Sequence, residues 1–394
     1  MSVTYPGGFR ANGVTAGLKD SGKPDLALLV ADDVCSCAGL FTTNAFAAAP
    51  VSLARARLRH MTARGVLVNS GQANAGSGAK GEEDAHVCTS AAAEALGVDV
   101  QGILPCSTGV IGVRIDTDKV MAAMPALVAG LSGDGGEAFA QAIMTTDTVM
   151  KQAKADAGPF KIGGAAKGVG MIEPNLATML SFLTTDATVS PEALYDLSAQ
   201  ILKPAFESLT VDGCSSTNDT VLLFASGAAG GNPVASGTPE WEFLADGLTE
   251  VAESLVLQLA ADGEGANHVL LIEVEGAASK GQAYMVAKEV ANSALVKAAA
   301  FGGDPNPGRL IQAIGASGAT FDPTDVHAWI GSAHVVSDGT LVPNYETVKP
   351  DAETAMKEPQ INYRIKVGEG PGRARAVGCD LSYDYVKINA EYTN

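Results

Sequence analysis

The stretch from Lys167 to Ala187 places the strongest constraint on how this chain can fold. It opens with a glycine-rich turn, continues through a Glu-Pro-Asn bend, and passes through Ala177 and Thr178 directly into an apolar run. Glycine and proline interrupt regular structure, and a short apolar run that follows such residues is typical of a buried strand. The sequence therefore predicts a tight turn that leads into a core strand, with Thr178 at the junction.

A threonine at such a junction becomes a nucleophile if the chain is cut in front of it. Cleavage between Ala177 and Thr178 would give Thr178 a free α-amine, whose ordinary pKa is about 7.7–8.0, beside its own hydroxyl. The amine can take the hydroxyl proton, so one residue supplies nucleophile and base. The same hydroxyl can first attack the carbonyl carbon of the small Ala177, and water then completes the cut. The other interpretation is structural: Thr178 is only the β-branched first residue of a core strand.

Charge and composition exclude several classes of function. The 394 residues carry a formal net charge of −18, whereas binding to nucleic acid or to an anionic membrane requires basic surface. Neither a signal pattern nor an apolar run of about 18 residues is found, so we expect a cytoplasmic protein without a membrane span. The six scattered cysteines predict buried thiols of a reducing compartment, and no His or Cys cluster has the spacing of a metal site.

Apolar periodicity predicts a mixture of strands and helices. The expected strands cover residues 26–31, 65–69, 179–183, 221–225, 269–274 and 363–367. The expected helices cover residues 82–96, 117–129, 240–260 and 281–300. These elements do not alternate in a strict βαβ order, so we expect an α/β (α+β) fold of packed sheet and helix layers. The length is compatible with two or three domains, or with two closely joined halves.

Several polar segments stand out against their apolar surroundings. Thr108-Gly109 follows an apolar run and can aim a hydroxyl and a backbone N–H at one point, as an oxyanion hole requires, or it is an ordinary glycine turn. Thr145 opens a run of hydroxyl residues that can bind substrate or satisfy backbone groups. Glu264 lies in a glycine turn after the long helix, where it can hold an ammonium group or remain a solvated acid beside a helix end.

Two further features have a functional and a structural interpretation. The C-terminal segment Asn389–Asn394 can fold over a site, although chain ends more commonly fray. Lys167 can meet a substrate carboxylate, although a single lysine more commonly lies at the surface.

Together these segments resemble the ornithine acetyltransferases, or glutamate N-acetyltransferases, of the arginine pathway. The similarity runs along nearly the whole chain, and a set of motifs in the family's order is more specific than any one of them. The matching motifs are Asn69–Ala75, Cys106–Gly112, Ile143–Thr148, Lys167–Ala187, Val211–Gly213 with Ser216–Thr220, Asp262–Gly265, Asp304–Asn306 with Gly308-Arg309, and Asn389–Asn394.

The resemblance implies a self-processed enzyme with a layered α/β fold similar to that of N-terminal-nucleophile hydrolases. The precursor would cut itself between Ala177 and Thr178 into an α chain, residues 1–177, and a β chain, residues 178–394. The two chains would stay associated, as a heterotetramer or a larger assembly. Ping-pong chemistry would move the acetyl group from N2-acetylornithine to Thr178 and then to glutamate. No cofactor is implied, and acetyl-CoA would be a further donor only in a bifunctional enzyme.

The resemblance also assigns roles to individual residues. It makes Thr178 the nucleophile and gives the stabilisation of the oxyanion to Thr108 and Gly109. The residues that it places against the substrate are Thr145, Lys167, Thr178, Glu264, Asn389 and Asn394. Lysine suits an α-carboxylate and glutamate suits an ammonium group, so an amino-acid substrate is consistent with this set.

A few positions depart from the family's usual pattern. They are Gln72, the Asn267-His268 pair, Pro307 and Asn394. These departures leave open a paralogue that acts on a related N-acyl amino acid. Two other functions also remain open: an N-terminal-nucleophile aminopeptidase or amidase, which passes its acyl group to water, and a binding protein that is never cleaved.

Overall fold

A computed structural model describes residues 2–173 and 179–391, which form two compact units. The described part of unit 1 comprises residues 2–173, 179–207 and 214–259, and that of unit 2 comprises residues 208–213 and 260–391. Ala177, Thr178 and Asn394 lie outside the described residues.

Unit 1 is built on a mixed β-sheet. Its strands are β1 (Phe9–Val14), β2 (Leu26–Phe41), β3 (Thr62–Gln72), β4 (Ile103–Val110), β5 (Lys151–Ala157), β6 (Phe160–Lys167), β7 (Leu180–Thr185) and β8 (Thr220–Ala225). The order across the sheet is β4-β3-β2-β8-β7-β6-β5, and β1 pairs with β2. The pairs β3–β4 and β7–β8 are parallel, and the other pairs are antiparallel.

Helices cover both faces of this sheet. They are α1 (Ala49–Arg57), α2 (Gly78–Leu96), α3 (Thr117–Ala129), α4 (Gly136–Ala142), α5 (Pro191–Leu197), α6 (Lys203–Glu207) and α7 (Pro239–Ala261), whose end enters unit 2. Successive strand residues point to opposite faces. Accordingly, Leu26 and Leu28 of β2 join a core with α2 and α3, whereas Ala27 and Leu29 join a core with α4. This arrangement confirms the predicted layered α/β fold.

Unit 2 contains a second sheet with helices packed against it. Its strands are β9 (Val269–Gly276), β10 (Val326–Ile330), β11 (Ala333–Ser337), β12 (Thr340–Leu341), β13 (Gln360–Val367) and β14 (Gly370–Cys379), in the order β12-β11-β10-β13-β9-β14. Its helices are α8 (Lys280–Asn292), α9 (Ala294–Phe301), α10 (Pro307–Ala316), α11 (Tyr345–Ala355) and α12 (Tyr383–Glu391). Apolar residues of α8, α10 and α11 share one core with the strands.

The predicted strands are all present, and the predicted helices are present with one correction. Residues 281–300 form two helices, because Ser293 adopts an extended conformation and its Oγ accepts a hydrogen bond from the Val296 N–H. Serine competes for backbone hydrogen bonds in this way and favours helix ends.

The expectation of buried cysteines holds except at Cys214, which is exposed. No helix among the described residues is long and apolar enough to cross a membrane.

Candidate active site

Lys167, the last residue of β6, is the centre of a polar cluster in unit 1. The residue is only 7% exposed, so it is not the surface lysine that its isolation in the sequence allowed. Its Nζ donates hydrogen bonds to Thr108 Oγ1 at 3.0 Å and to Thr145 Oγ1 at 2.8 Å. The fold thus brings together three predicted site residues from β4, from the loop after α4 and from β6.

The Thr108-Gly109 pair has the geometry of a donor site. Because an ammonium group can only donate, the Thr108 hydroxyl accepts from Lys167, and its own hydrogen can point to another acceptor. Gly109 has φ +127°, and a Cβ at this position would lie 2.3 Å from the carbonyl carbon of Gly71 in β3. Only glycine fits this conformation and this close approach. The arrangement is suited to stabilising a developing oxyanion.

Buried hydrogen bonds hold the end of β4 just before Thr108. Ser107 Oγ donates to Asn69 Oδ1 at 2.5 Å. Asn218 Nδ2 donates to the Ser107 carbonyl at 2.8 Å and to the Ala73 carbonyl at 2.5 Å. Because these groups are buried and paired, they restrict the position from which the Thr108 hydroxyl is presented.

Asp147, which sequence analysis did not single out, organises the other side of the cluster. Its Oδ2 accepts from the Thr145 N–H at 2.9 Å, and its Oδ1 accepts from the Gly168 N–H at 2.8 Å. Lys151 Nζ lies 2.7 Å from Oδ1, in an ion pair whose two side chains are 0% exposed. Lys167 Nζ lies 4.0 Å from Oδ2. Asp147 therefore links the Thr145 loop to the end of β6.

The charges around Asp147 keep it ionised. Burial alone would raise the pKa of Asp147, but the ammonium groups of Lys167 and Lys151 outweigh burial and hold that pKa below its usual range. Lys19 stabilises the loop that carries Thr145, because its Nζ donates a hydrogen bond to the Met144 carbonyl at 2.6 Å. Burial lowers the pKa of Lys19 to about 8. An acid within a run of hydroxyl residues was the signal in the sequence that could have identified Asp147.

Glu264 and Asn389, two predicted substrate residues, meet in unit 2. Glu264 lies in the turn after α7, and Asn389 lies in the last turn of α12, where its Nδ2 donates to Glu264 Oε2 at 2.9 Å. The turn is packed tightly, since a Cβ on Gly265 would lie 2.5 Å from the Tyr385 nitrogen. Ser382 Oγ donates to the Gly265 carbonyl at 2.6 Å. The substrate roles of Glu264 and Asn389 stay predictions.

The positions that depart from the family pattern have structural contacts of their own. The His268 N–H donates to Asp380 Oδ1 at 3.0 Å, and its Nδ1 lies 2.7 Å from the Glu358 carbonyl oxygen. Pro307 opens α10, where a missing N–H costs nothing. Gln72 Nε2 donates to the Leu18 carbonyl at 2.7 Å. Asn394 lies outside the described residues.

Comparison with known proteins places the chain in one family. The ArgJ family model matches residues 10–394. The arginine biosynthesis bifunctional protein ArgJ of Parasynechococcus marenigrum is 46% identical over 398 residues, which cover 99% of this chain and 95% of that protein. The crystal structure of the protein of the same name from Bacillus halodurans is 38% identical, covers 55% of this chain and 100% of the solved chain, and has a TM-score of 0.52.

A third comparison is with the ornithine acetyltransferase of Mycobacterium tuberculosis, solved in complex with ornithine. It is 41% identical, covers 45% of this chain and 96% of that chain, and has a TM-score of 0.43. The match of the family model and the identity to the Parasynechococcus protein along nearly the full length confirm the resemblance carried by the motifs. By these criteria the chain belongs to the ArgJ family.

Proposed function

We propose that this chain is an acyltransferase that moves the acetyl group of N2-acetylornithine to glutamate through an acetyl ester on Thr178. Membership of the ArgJ family, whose relatives are named for arginine biosynthesis, supports this reaction class. The observation that carries the proposal is the buried Lys167 ammonium group between the hydroxyls of Thr108 and Thr145. This cluster provides a cation for a carboxylate and a hydroxyl donor for an oxyanion.

Processing precedes catalysis in this proposal. The Thr178 hydroxyl attacks the carbonyl carbon of Ala177, and the acyl group moves from nitrogen to oxygen, which frees the α-amine. Water then hydrolyses the ester, which releases the Ala177 carboxylate and restores the Thr178 hydroxyl. That amine then takes the hydroxyl proton as Thr178 attacks the acetyl group. The proton passes to the departing nitrogen of ornithine, and the amino group of glutamate attacks the acetyl ester. Thr108 and the Gly109 N–H stabilise the oxyanion in both half-reactions.

The remaining predicted residues supply substrate contacts. Lys167 would meet an α-carboxylate and Glu264 an ammonium group of the amino acid, and Thr145, Asn389 and Asn394 would line the substrate site. We expect the reaction to need no resident cofactor. We further propose a cytoplasmic enzyme whose α and β chains stay associated and assemble as a heterotetramer or a larger complex.

The first test is the intact mass of the denatured protein. We expect two species that match residues 1–177 and 178–394, and one uncleaved species for Thr178→Ala. A single uncleaved wild-type species would instead support a binding protein. Cleavage of the Thr178→Ala variant would remove Thr178 from the processing step.

The second test separates transfer from hydrolysis. Processed protein is mixed with N2-acetylornithine with and without glutamate, and acetylglutamate, ornithine and acetate are measured. We expect ornithine and acetylglutamate to form in equal amounts, with little acetate. Ornithine release with acetate and no acetylglutamate would identify a hydrolase. Replacing N2-acetylornithine by acetyl-CoA in the same assay tests whether acetyl-CoA is a second acetyl donor, because acetylglutamate would then form without release of ornithine.

A further inference from the structure

Lys19 is a half-buried lysine beside the candidate site that has no part in the proposed chemistry. It lies in the loop between β1 and β2. Its Nζ donates to the Pro24 carbonyl at 2.8 Å and to the Met144 carbonyl at 2.6 Å, and within the described part of the chain it forms no ion pair. An ammonium group has three N–H donors, so Lys19 retains one donor and an unneutralised charge for a further partner.

The loop that carries Lys19 is held in place by a buried carboxylate. Asp25 is 0% exposed. Its carboxylate accepts hydrogen bonds from three backbone N–H groups, those of Ala16 and Leu18 at 2.6 Å and that of Lys19 at 3.0 Å. Because these bonds occupy the carboxylate within its own loop, they fix the backbone of Lys19 and leave the side chain to reach towards the site.

The same loop packs against the end of β3, next to the predicted oxyanion donors. Gln72 Nε2 donates to the Leu18 carbonyl at 2.7 Å. A Cβ on Gly71 would lie 3.0 Å from the Leu18 carbonyl oxygen, and a Cβ on Gly109 would lie 2.3 Å from the Gly71 carbonyl carbon. The backbone next to Lys19 is therefore in close contact with the strand ends that present Thr108 and Gly109.

Lys19 and Lys167 bind oxygen atoms of two consecutive residues. Lys19 Nζ lies 2.6 Å from the Met144 carbonyl oxygen, and Lys167 Nζ lies 2.8 Å from Thr145 Oγ1. Across a trans peptide, a carbonyl oxygen and the Oγ1 of the next residue are at most about 5 Å apart. The two Nζ atoms are thus within about 11 Å of each other, and they form a pair of cations at one site.

We propose that Lys19 binds the side-chain carboxylate of the acceptor glutamate and so distinguishes glutamate from ornithine. The inference rests on the proposed function, in which the two amino acids occupy one site in turn. Both carry an α-carboxylate, which Lys167 would meet. They differ at the far end of the side chain, where glutamate has a second carboxylate and ornithine has an ammonium group.

The dimensions and charges of this site suit a dicarboxylate. An extended glutamate with one hydrogen bond at each end spans about 12 Å, which is enough to bridge the two Nζ atoms. Hydrogen bonds between an ammonium group and a carboxylate are stronger than those between neutral groups. The same Lys19 charge would repel the side-chain ammonium group of ornithine, so it favours departure of the first product and binding of the acceptor.

Kinetics of two variants tests the role of Lys19. Lys19→Met removes the charge and keeps a flexible chain, and Lys23→Met, at an exposed position of the same loop, is the matched control. Two reactions of processed protein are compared: acetyl transfer from N2-acetylornithine to glutamate, and acetyl exchange between N2-acetylornithine and isotope-labelled ornithine. The exchange involves no second carboxylate, so any loss of support for the Thr145 loop affects both reactions and cancels in their ratio.

We expect Lys19→Met to lower kcat/KM for glutamate, relative to the ornithine exchange, by about 10–100-fold, as for the loss of a hydrogen bond to a charged group. Lys23→Met should keep the wild-type ratio. An unchanged ratio in Lys19→Met would show that Lys19 only supports the loop, and would overturn the inference. Failure of the processed wild type to catalyse the ornithine exchange would instead refute the proposed function.

Lysine labelling of the wild type gives a measurement that needs no variant. Processed protein is reductively methylated alone, with saturating glutamate or with saturating ornithine, and peptide masses report the extent of labelling at Lys19 and Lys23. We expect glutamate to protect Lys19 several-fold more than ornithine does, whereas Lys23 should be labelled equally in all three samples. Equal labelling of Lys19 with either amino acid, or no labelling without ligand, would overturn the inference.

Discussion

Thr108 and Thr145 contact the same ammonium group, yet the proposed function gives them different roles. Thr108 accepts from Lys167 and lies beside Gly109, where the strained backbone excludes other residues. Thr145 also accepts from Lys167, but its N–H and hydroxyl are tied to Asp147, at 2.9 and 3.4 Å. Its hydroxyl is therefore less free to donate to a developing oxyanion, and in the proposed function Thr145 would place Lys167 against the substrate.

Replacing these two threonines by valine should separate the two roles. Thr108→Val removes an oxyanion donor at nearly constant volume, so kcat should fall by roughly 10²–10³-fold. Thr145→Val should mainly raise KM, because it disturbs Lys167, which we propose as the partner of the substrate carboxylate. Steady-state kinetics on processed protein measures both. A Thr108→Val enzyme with the wild-type kcat would remove Thr108 from the oxyanion site.

Asp147→Asn should destabilise unit 1 strongly. The change leaves the 0% exposed Lys151 ammonium group without its carboxylate, and breaking a buried ion pair typically costs about 3–5 kcal/mol. Urea unfolding of wild type and variant measures the loss, with the exposed Asp20→Asn as a matched control that should lie within about 0.5 kcal/mol of wild type. A loss no larger than that of Asp20→Asn would contradict the structural role.

The same pair predicts how stability depends on pH. Because the folded-state pKa of Asp147 lies below its usual value of 3.8, its contribution is complete above that value and is lost as pH falls through the folded-state pKa. The stability difference between wild type and Asp147→Asn should thus be constant near neutral pH and shrink below about pH 4. Unfolding experiments at a series of pH values follow this difference. A difference that grows on acidification would refute the ion pair.

Among the elements, the junction between α8 and α9 depends on a single cap. Ser293 ends one helix and caps the next through its Oγ, which accepts from the Val296 N–H at 3.4 Å. Ser293→Ala should lower the free energy of unfolding by about 1 kcal/mol, the usual effect of losing a serine N-cap. The exposed turn residue Ser236 provides the control variant Ser236→Ala, which should leave the free energy of unfolding unchanged. Equal thermal stability of the two variants would show that this cap contributes nothing.

At the scale of the whole molecule, the predicted cut divides the covalent chain and leaves the sheet of unit 1 shared between both products. Strands β7 and β8 follow residue 178, and they pair with each other between β6 and β2, which precede it. The processed protein would therefore contain one sheet whose central strands come from the second chain and whose flanking strands come from the first. Backbone hydrogen bonds and a buried core to which both products contribute would join them.

Processing should consequently leave the two chains associated. Under native conditions we expect them to elute together in size-exclusion chromatography and to appear as one mass, or a multiple of it, in native mass spectrometry. They should separate only when denaturant disrupts the sheet. Dissociation in native buffer would contradict the strand order. The uncleaved Thr178→Ala protein supplies the reference for the elution of an intact chain.

Much of the local structure follows from the sequence alone. Alternating or continuous apolar runs located the strands, and three- to four-residue periodicity located the helices, because these patterns report which side chains a local element must bury. The serine that interrupts residues 281–300 was missed because the apolar positions continue on both sides of Ser293. The motifs also carried the resemblance that the match to the ArgJ family confirmed.

Only the tertiary structure decided which polar groups meet. Thr108, Thr145 and Lys167 lie on separate segments, and their hydrogen bonds depend on how β4 and β6 lie in unit 1. The burial of Asp147 with two lysines, and of Asp219 with no hydrogen-bond partner among the described residues, also arises from packing between distant segments. Periodicity describes one element at a time, whereas the charge state of a carboxyl group depends on every element that surrounds it.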